Sequence, residues 1–99
     1  MMAPDEKFFE RADEHINLSN RQLTEASMGK VSASMMYSVA RFNAWVSACG
    51  WKSGNEMEQH KEDTLKYFVE EYQKMLSDNL DEYIANFDAY MKPGGANPR

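Results

Sequence analysis

Apolar residues return along this chain at steps of three and four, the spacing that lines side chains up on one face of an α-helix. From about residue 5 to 27, Phe9, Ala12, Ile16, Asn20, Leu23 and Ser27 fall on one line, with Asp5 and Glu6 near the positive end of the helix dipole. An amphipathic helix is predicted there. Asn20 sits at the centre of its apolar face and Asp13 near the edge, so Asn20 reads first as a core or boundary amide bonded to a neighbouring helix. The second segment, about 32–49, sets Val31, Met35, Val39, Phe42, Val46 and Cys49 on one side and Ala33, Ala40, Ala44 and Ser47 on the other. Bulky on one face and small on the other, it reads as the central helix of a bundle, with Ser32 as its N-cap. Gly29 and Gly50 are the expected left-handed stops after the first two helices.

The third segment, about 55–91, has no Gly or Pro. Ser53-Gly54-Asn55-Glu56 and Asn55-Glu56-Met57-Glu58 both fit a capping box at its start. Leu65, Phe68, Tyr72, Leu76, Asn79, Tyr83, Phe87 and Tyr90 then follow with an eleven-residue period, which keeps a stripe nearly straight along a helix. Glu62 with Lys66 and Glu70 with Lys74 add surface pairs in the favourable order. At 1.5 Å per residue the three segments measure roughly 35, 27 and 55 Å, so a continuous third helix overhangs the others by about 20 Å. The overhang carries Tyr83, Ile84, Phe87 and Tyr90, an apolar strip that water does not accommodate well. Two readings resolve it. The helix breaks near 77–79, with Asn79 and Glu82 capping a fourth helix, or the strip is buried against a second chain. The fold class is therefore all-α, an antiparallel up-down bundle of three helices, the third continuous or broken. Residues 1–92 form one helical domain, and Pro93-Gly94-Gly95 opens a disordered tail over 93–99.

Composition narrows the functions available. The 99 residues carry 16 acidic against 11 basic side chains, a formal charge of −5. Neither a nucleic-acid backbone nor an anionic membrane suits that balance, since both need a basic footprint. One Cys makes no internal disulfide, and the N-terminus turns acidic at once without an apolar leader, so a cytoplasmic protein is expected. Residues 31–51 carry only Arg41 as a charge, but Ser32, Ser34, Ser38, Asn43 and Ser47 dilute the stretch, which favours a buried helix over a membrane span. Arg41 is expected to reach solvent past its own stem or to pair with Asp13.

Catalytic chemistry finds no foothold. A dimetal bundle needs Glu-x-x-His pairs, but Ala12 and Met57 precede His15 and His60 at three residues. Glu56 and His60 are two ligands on one exposed turn, so no metal and no cofactor is expected. Cys49 ends an apolar helix beside Trp45 and Trp51 and reads as a buried, inert thiol. Glu70-Glu71 and Asp81-Glu82 are adjacent and splay apart on a helix, so they make no acid/base dyad.

Binding is better served. Between Leu76 and Met91, Asp78, Asp81, Glu82 and Asp88 stand without a basic residue among Tyr83, Phe87 and Tyr90. Aromatics beside one sign of charge suit a partner that is apolar at its centre and basic at its rim. The sequence thus points to a non-enzymatic protein that self-associates or binds a protein partner through Tyr83, Phe87, Tyr90, Asp81 and Glu82. The alternative is a bundle holding a small apolar ligand or metal between helices near Asn20, Arg41, Asn43 and Tyr72.

Several stretches carry a resemblance: Phe8-Phe9-Glu10-Arg11-Ala12-Asp13, Ile16-Asn17-Leu18, Gly29-Lys30-Val31-Ser32-Ala33-Ser34, Ala40-Arg41-Phe42-Asn43-Ala44, and Tyr67-Phe68 through Asn86-Phe87. Over Lys7 to Met91 the chain resembles a family of small, acidic, all-helical bacterial proteins known only as a domain of unknown function. The resemblance implies a bacterial, cytoplasmic, single-domain protein and supplies no activity. The Cys49-Gly50-Trp51 corner and the Gly-rich tail fall outside it.

Overall fold

Among the described residues five helical runs form where three were expected, because two single residues interrupt the long third segment. The computed structural model describes residues 5–92, and the tail expected over 93–99 lies outside them. The elements are α1 (Phe8–Gln22), α2 (Met28–Ala48), α3 (Gly54–Gln59), α4 (Lys61–Ala85) and α5 (Phe87–Met91). Among the described residues the chain is helical throughout, with no strand. They divide into two compact units, the first running to Arg41 and the second starting at Phe42, so the boundary falls inside α2.

In the first unit, α1 starts after a local polar lock. The Asp5 carboxylate accepts from the Lys7 backbone N–H at 2.9 Å and from Arg11 Nη2 at 2.8 Å. Helix α1 stops at Gln22, short of the expected Gly29. Its last carbonyls are taken up by tight turns: Leu23 N–H donates to the Ser19 and Asn20 carbonyls, Thr24 N–H to Arg21 O, and Thr24 Oγ1 to the same Arg21 O at 2.8 Å. Threonine thus ends the helix by diverting its own backbone, without a glycine. Ser27, not Ser32, caps the first turn of α2, its Oγ accepting from the Lys30 N–H at 3.3 Å. Gly29 lies within the first turn of α2 rather than at a stop. The predicted inner line of α1 holds at Ala12, Ile16, Asn20 and Leu23, which are half-covered, while Phe9 stays 68 % exposed. Val31 is the buried residue among those described, and Met35 one turn on is half-covered.

The second unit is organised around the corner after α2. Gly50 ends the helix as expected, its N–H donating to Ser47 O at 3.0 Å, but without the left-handed backbone. The Trp51 indole N–H donates to Ser47 Oγ at 3.3 Å, and its ring lies flat on His60 at 4.3 Å between centroids. The first of the two capping boxes forms: Ser53 Oγ accepts from Glu56 N–H, and Glu56 Oε1 reaches one residue further back, to Lys52 N–H at 2.7 Å. His60, at φ −109° and ψ 9°, separates α3 from α4. Cys49 is exposed, contrary to the buried thiol expected from its apolar neighbours. Arg41 is exposed as well, and among the described residues no ion pair joins it to Asp13. Lys74 pairs with Glu71 at 3.2 Å rather than with Glu70.

Helix α4 runs unbroken through 77–79, which removes the break there, one of the two readings of the overhang. Asn79 is no cap. Its Nδ2 donates to the Met75 carbonyl at 2.8 Å, bonding back onto its own helix. The interruption comes seven residues later, at Asn86 (φ −119°, ψ 27°).

Val31→Ala should destabilise the protein by about 2 kcal/mol in urea unfolding, since it strips two buried methyl groups, and Ser53→Ala by about 1 kcal/mol through the lost cap. The Arg11 hydrogen bond, and after it the Lys7 N–H, hold Asp5 below the usual carboxylate range. Because that folded-state pKa is lowered, the small stabilisation is present above the unfolded value and is lost as pH falls through the folded one. Carboxyl titration by NMR should find Asp5 low, and Arg11→Gln should return it towards the ordinary value.

Candidate interaction face

Helix α4 has 25 residues and buries none of them. Its half-covered positions, Thr64, Phe68 and Glu71, continue the line of Met57 and His60, on the side of the Trp51 corner. Beside that line runs an uncovered one: Leu65, Val69, Tyr72, Leu76, Leu80 and Tyr83, with Phe87 four residues on at the start of α5. Exposure along it ranges from 36 % at Tyr83 to 59 % at Val69. Steps of 4, 3, 4, 4, 3 and 4 keep these side chains within one broad stripe of a helix surface. The outward line is offset from the predicted one, with Phe68 on the covered side.

At its C-terminal end the stripe runs into a polar-aromatic knot. The Tyr83 and Tyr90 rings meet edge to face at 5.0 Å, and the Tyr90 hydroxyl donates to Glu82 Oε2 at 2.7 Å. Asn86 secures the joint: its backbone N–H and its Nδ2 both donate to the Glu82 carbonyl, at 3.0 and 2.9 Å. That double donation satisfies a terminal carbonyl of α4 at the joint from which α5 begins. The Lys92 ammonium stands 5.8 Å from the Phe87 ring centre and 3.4 Å from Asp88 Oδ1. An ammonium near an aromatic face is attracted by the ring quadrupole.

Of the five residues expected on this face, Tyr83, Tyr90 and Glu82 are joined directly, Phe87 is exposed beside them in sequence, and Asp81 is exposed on α4. Sequence reasoning missed two participants. Asn86 gave no sign beyond its amide, whereas Lys92 lies four residues after Asp88, a spacing that was legible. The residues of the ligand-binding alternative are shared between the two units: Asn20 and Arg41 in the first, Asn43 and Tyr72 in the second. Asn20 and Asn43 are half-covered, and Tyr72 belongs to the uncovered stripe. Among the described residues no group of three or more His, Cys, Asp or Glu is placed to hold a metal ion. No helix among them is long and apolar enough to cross a membrane.

Since Glu82 and Tyr90 meet at the solvent surface, Tyr90→Phe should change global stability by less than about 1 kcal/mol. Amide exchange within α5 should quicken, as its tie to α4 is cut.

A family described as a protein of unknown function, DUF3144, matches residues 8–84. Among solved structures, an NMR structure of a protein from Shewanella sp. is similar over 87 % of this chain and 92 % of that one, with a TM-score of 0.74 and 39 % sequence identity. No curated protein matches.

Proposed function

The chain belongs to the DUF3144 family of proteins of unknown function, and on that premise we propose that it is a non-enzymatic protein-interaction module whose docking face is the outer side of α4 and α5. The observation that carries the reading is the uncovered apolar stripe from Leu65 to Phe87, ending in the Tyr83–Tyr90 pair. Isolated helices are marginal in water, and most helical stability in proteins comes from covering an apolar face. A 25-residue helix with no buried side chain therefore calls for a cover. Tyr83, Phe87 and Tyr90 are the anchors, because aromatic rings bring large apolar area at low conformational cost. Asp81 and Glu82 form a rim that favours a basic edge on the partner and raises the rate of encounter more than the final affinity.

Two measurements on the purified protein test this. Light scattering after size exclusion reads whether the face is covered by self-association, and the fluorescence of an apolar dye reads whether it is open. Wild type should show either a mass above one chain or strong dye binding, and Phe87→Asp should lose whichever of the two wild type displays. A wild-type monomer at high micromolar concentration that binds no dye would sink the reading, since its stripe would then be covered by the chain itself.

A further inference from the structure

The interaction-face reading leaves the partner unnamed, and resting on that reading we propose that the partner is a second copy of this chain, its α4 laid antiparallel on the first about a two-fold axis at Leu76. A two-fold contact uses one surface patch twice, so residue i meets j and j meets i. With Leu76 on the axis, Leu65 meets Phe87, Val69 meets Tyr83 and Tyr72 meets Leu80. Each pair sets an aliphatic side chain against an aromatic ring, and Leu76 meets its own copy. Large against small is how facing layers interdigitate. A parallel pair would instead set Tyr72, Tyr83 and Phe87 each on the same ring of the partner.

Charge selects the same direction. Asp78, Asp81, Glu82 and Asp88 stand in the C-terminal half of α4 and α5 with no basic residue before Lys92, while the N-terminal half mixes Lys61, Lys66 and Lys74 with Glu62, Asp63, Glu70 and Glu71. Parallel pairing aligns acids with acids along the whole end of the helix. Antiparallel pairing instead lays the acidic half of each copy over the near-balanced half of the other, where the lysines of α4 stand, and so spares the acid-on-acid overlap. The area fits as well. Seven side chains exposed by roughly half present on the order of 600 Å² per copy, close to the roughly 800 Å² per partner of a standard interface once flanking side chains such as Ile84 are added. Asn79 turns its amide back onto the Met75 carbonyl of its own helix, so register rests on the fit of rings against aliphatic side chains.

Cysteine pairing reads the axis directly. In a background in which the exposed Cys49 is replaced (Cys49→Ser), single Leu76→Cys, Val69→Cys and Tyr83→Cys variants are oxidised with diamide and resolved on non-reducing gels. Helical circular dichroism checks the fold of each. A disulfide needs Cα atoms within about 7 Å, so only facing positions join. Leu76→Cys should form a covalent dimer alone, and an equimolar mixture of Val69→Cys and Tyr83→Cys should give several-fold more dimer than either variant by itself. Self-linkage of Val69→Cys or Tyr83→Cys as efficient as that of the mixture would overturn the antiparallel pairing while leaving the interaction face intact. A wild-type chain that stays monomeric at high micromolar concentration yet binds the apolar dye overturns the second copy, and the face then belongs to a different protein. The mixed-variant arm keeps the test decisive should Leu76→Cys fail to fold.

Discussion

Covering one side of a helix is the constraint on which the rest of this structure turns. Helix α4 closes its own backbone hydrogen bonds, so nothing in its main chain requires a neighbour. Its side chains do. Leu65, Val69, Leu80 and Ile84 each remain more than half exposed, and Tyr72, Leu76 and Phe87 continue the same surface. The interruptions at His60 and Asn86 bound α4: one sets where its apolar run starts, the other divides it from α5.

The polar contacts described above do a different job. Asp5 with Arg11, Thr24 with Arg21, Ser27 with Lys30, Ser53 with Glu56 and Asn86 with Glu82 each join residues within one or two helical turns. Such contacts decide where helices begin and end and contribute little to holding one helix against another. Fold specification in this chain is therefore divided. Capping chemistry fixes element lengths, and much of the apolar surface is left facing outward.

This division explains what could be read from the sequence. Helical class, the inner line of α1, the Ser53 cap, the Gly50 stop and the stripe through Tyr72, Leu76 and Tyr83 were legible because each rests on periodicity or on a residue type with one dominant use. The stop at Gln22 was not, since Thr24 ends the helix with a hydroxyl where a glycine was sought. Nor were the breaks at His60 (φ −109°, ψ 9°) and Asn86 (φ −119°, ψ 27°), whose negative φ needs no glycine and so leaves no compositional mark. At the candidate site, Glu82 and Tyr90 were both placed on the expected face, but their contact was not read, although an eight-residue step returns a side chain close to the same face. The exposure of Cys49 could not be foreseen, because it depends on what α2 packs against rather than on the apolar neighbours beside it in sequence.

The corner between α2 and α3 carries one more consequence. Trp51 lies half-covered and stacked on an imidazole, while Trp45, six residues earlier, is 62 % exposed to water. The two indoles therefore sit in different dielectric surroundings within a single short span. Nature has given the second unit a pair of intrinsic optical reporters, one tuned to the closing of the α2–α3 corner and the other to the solvent along α2.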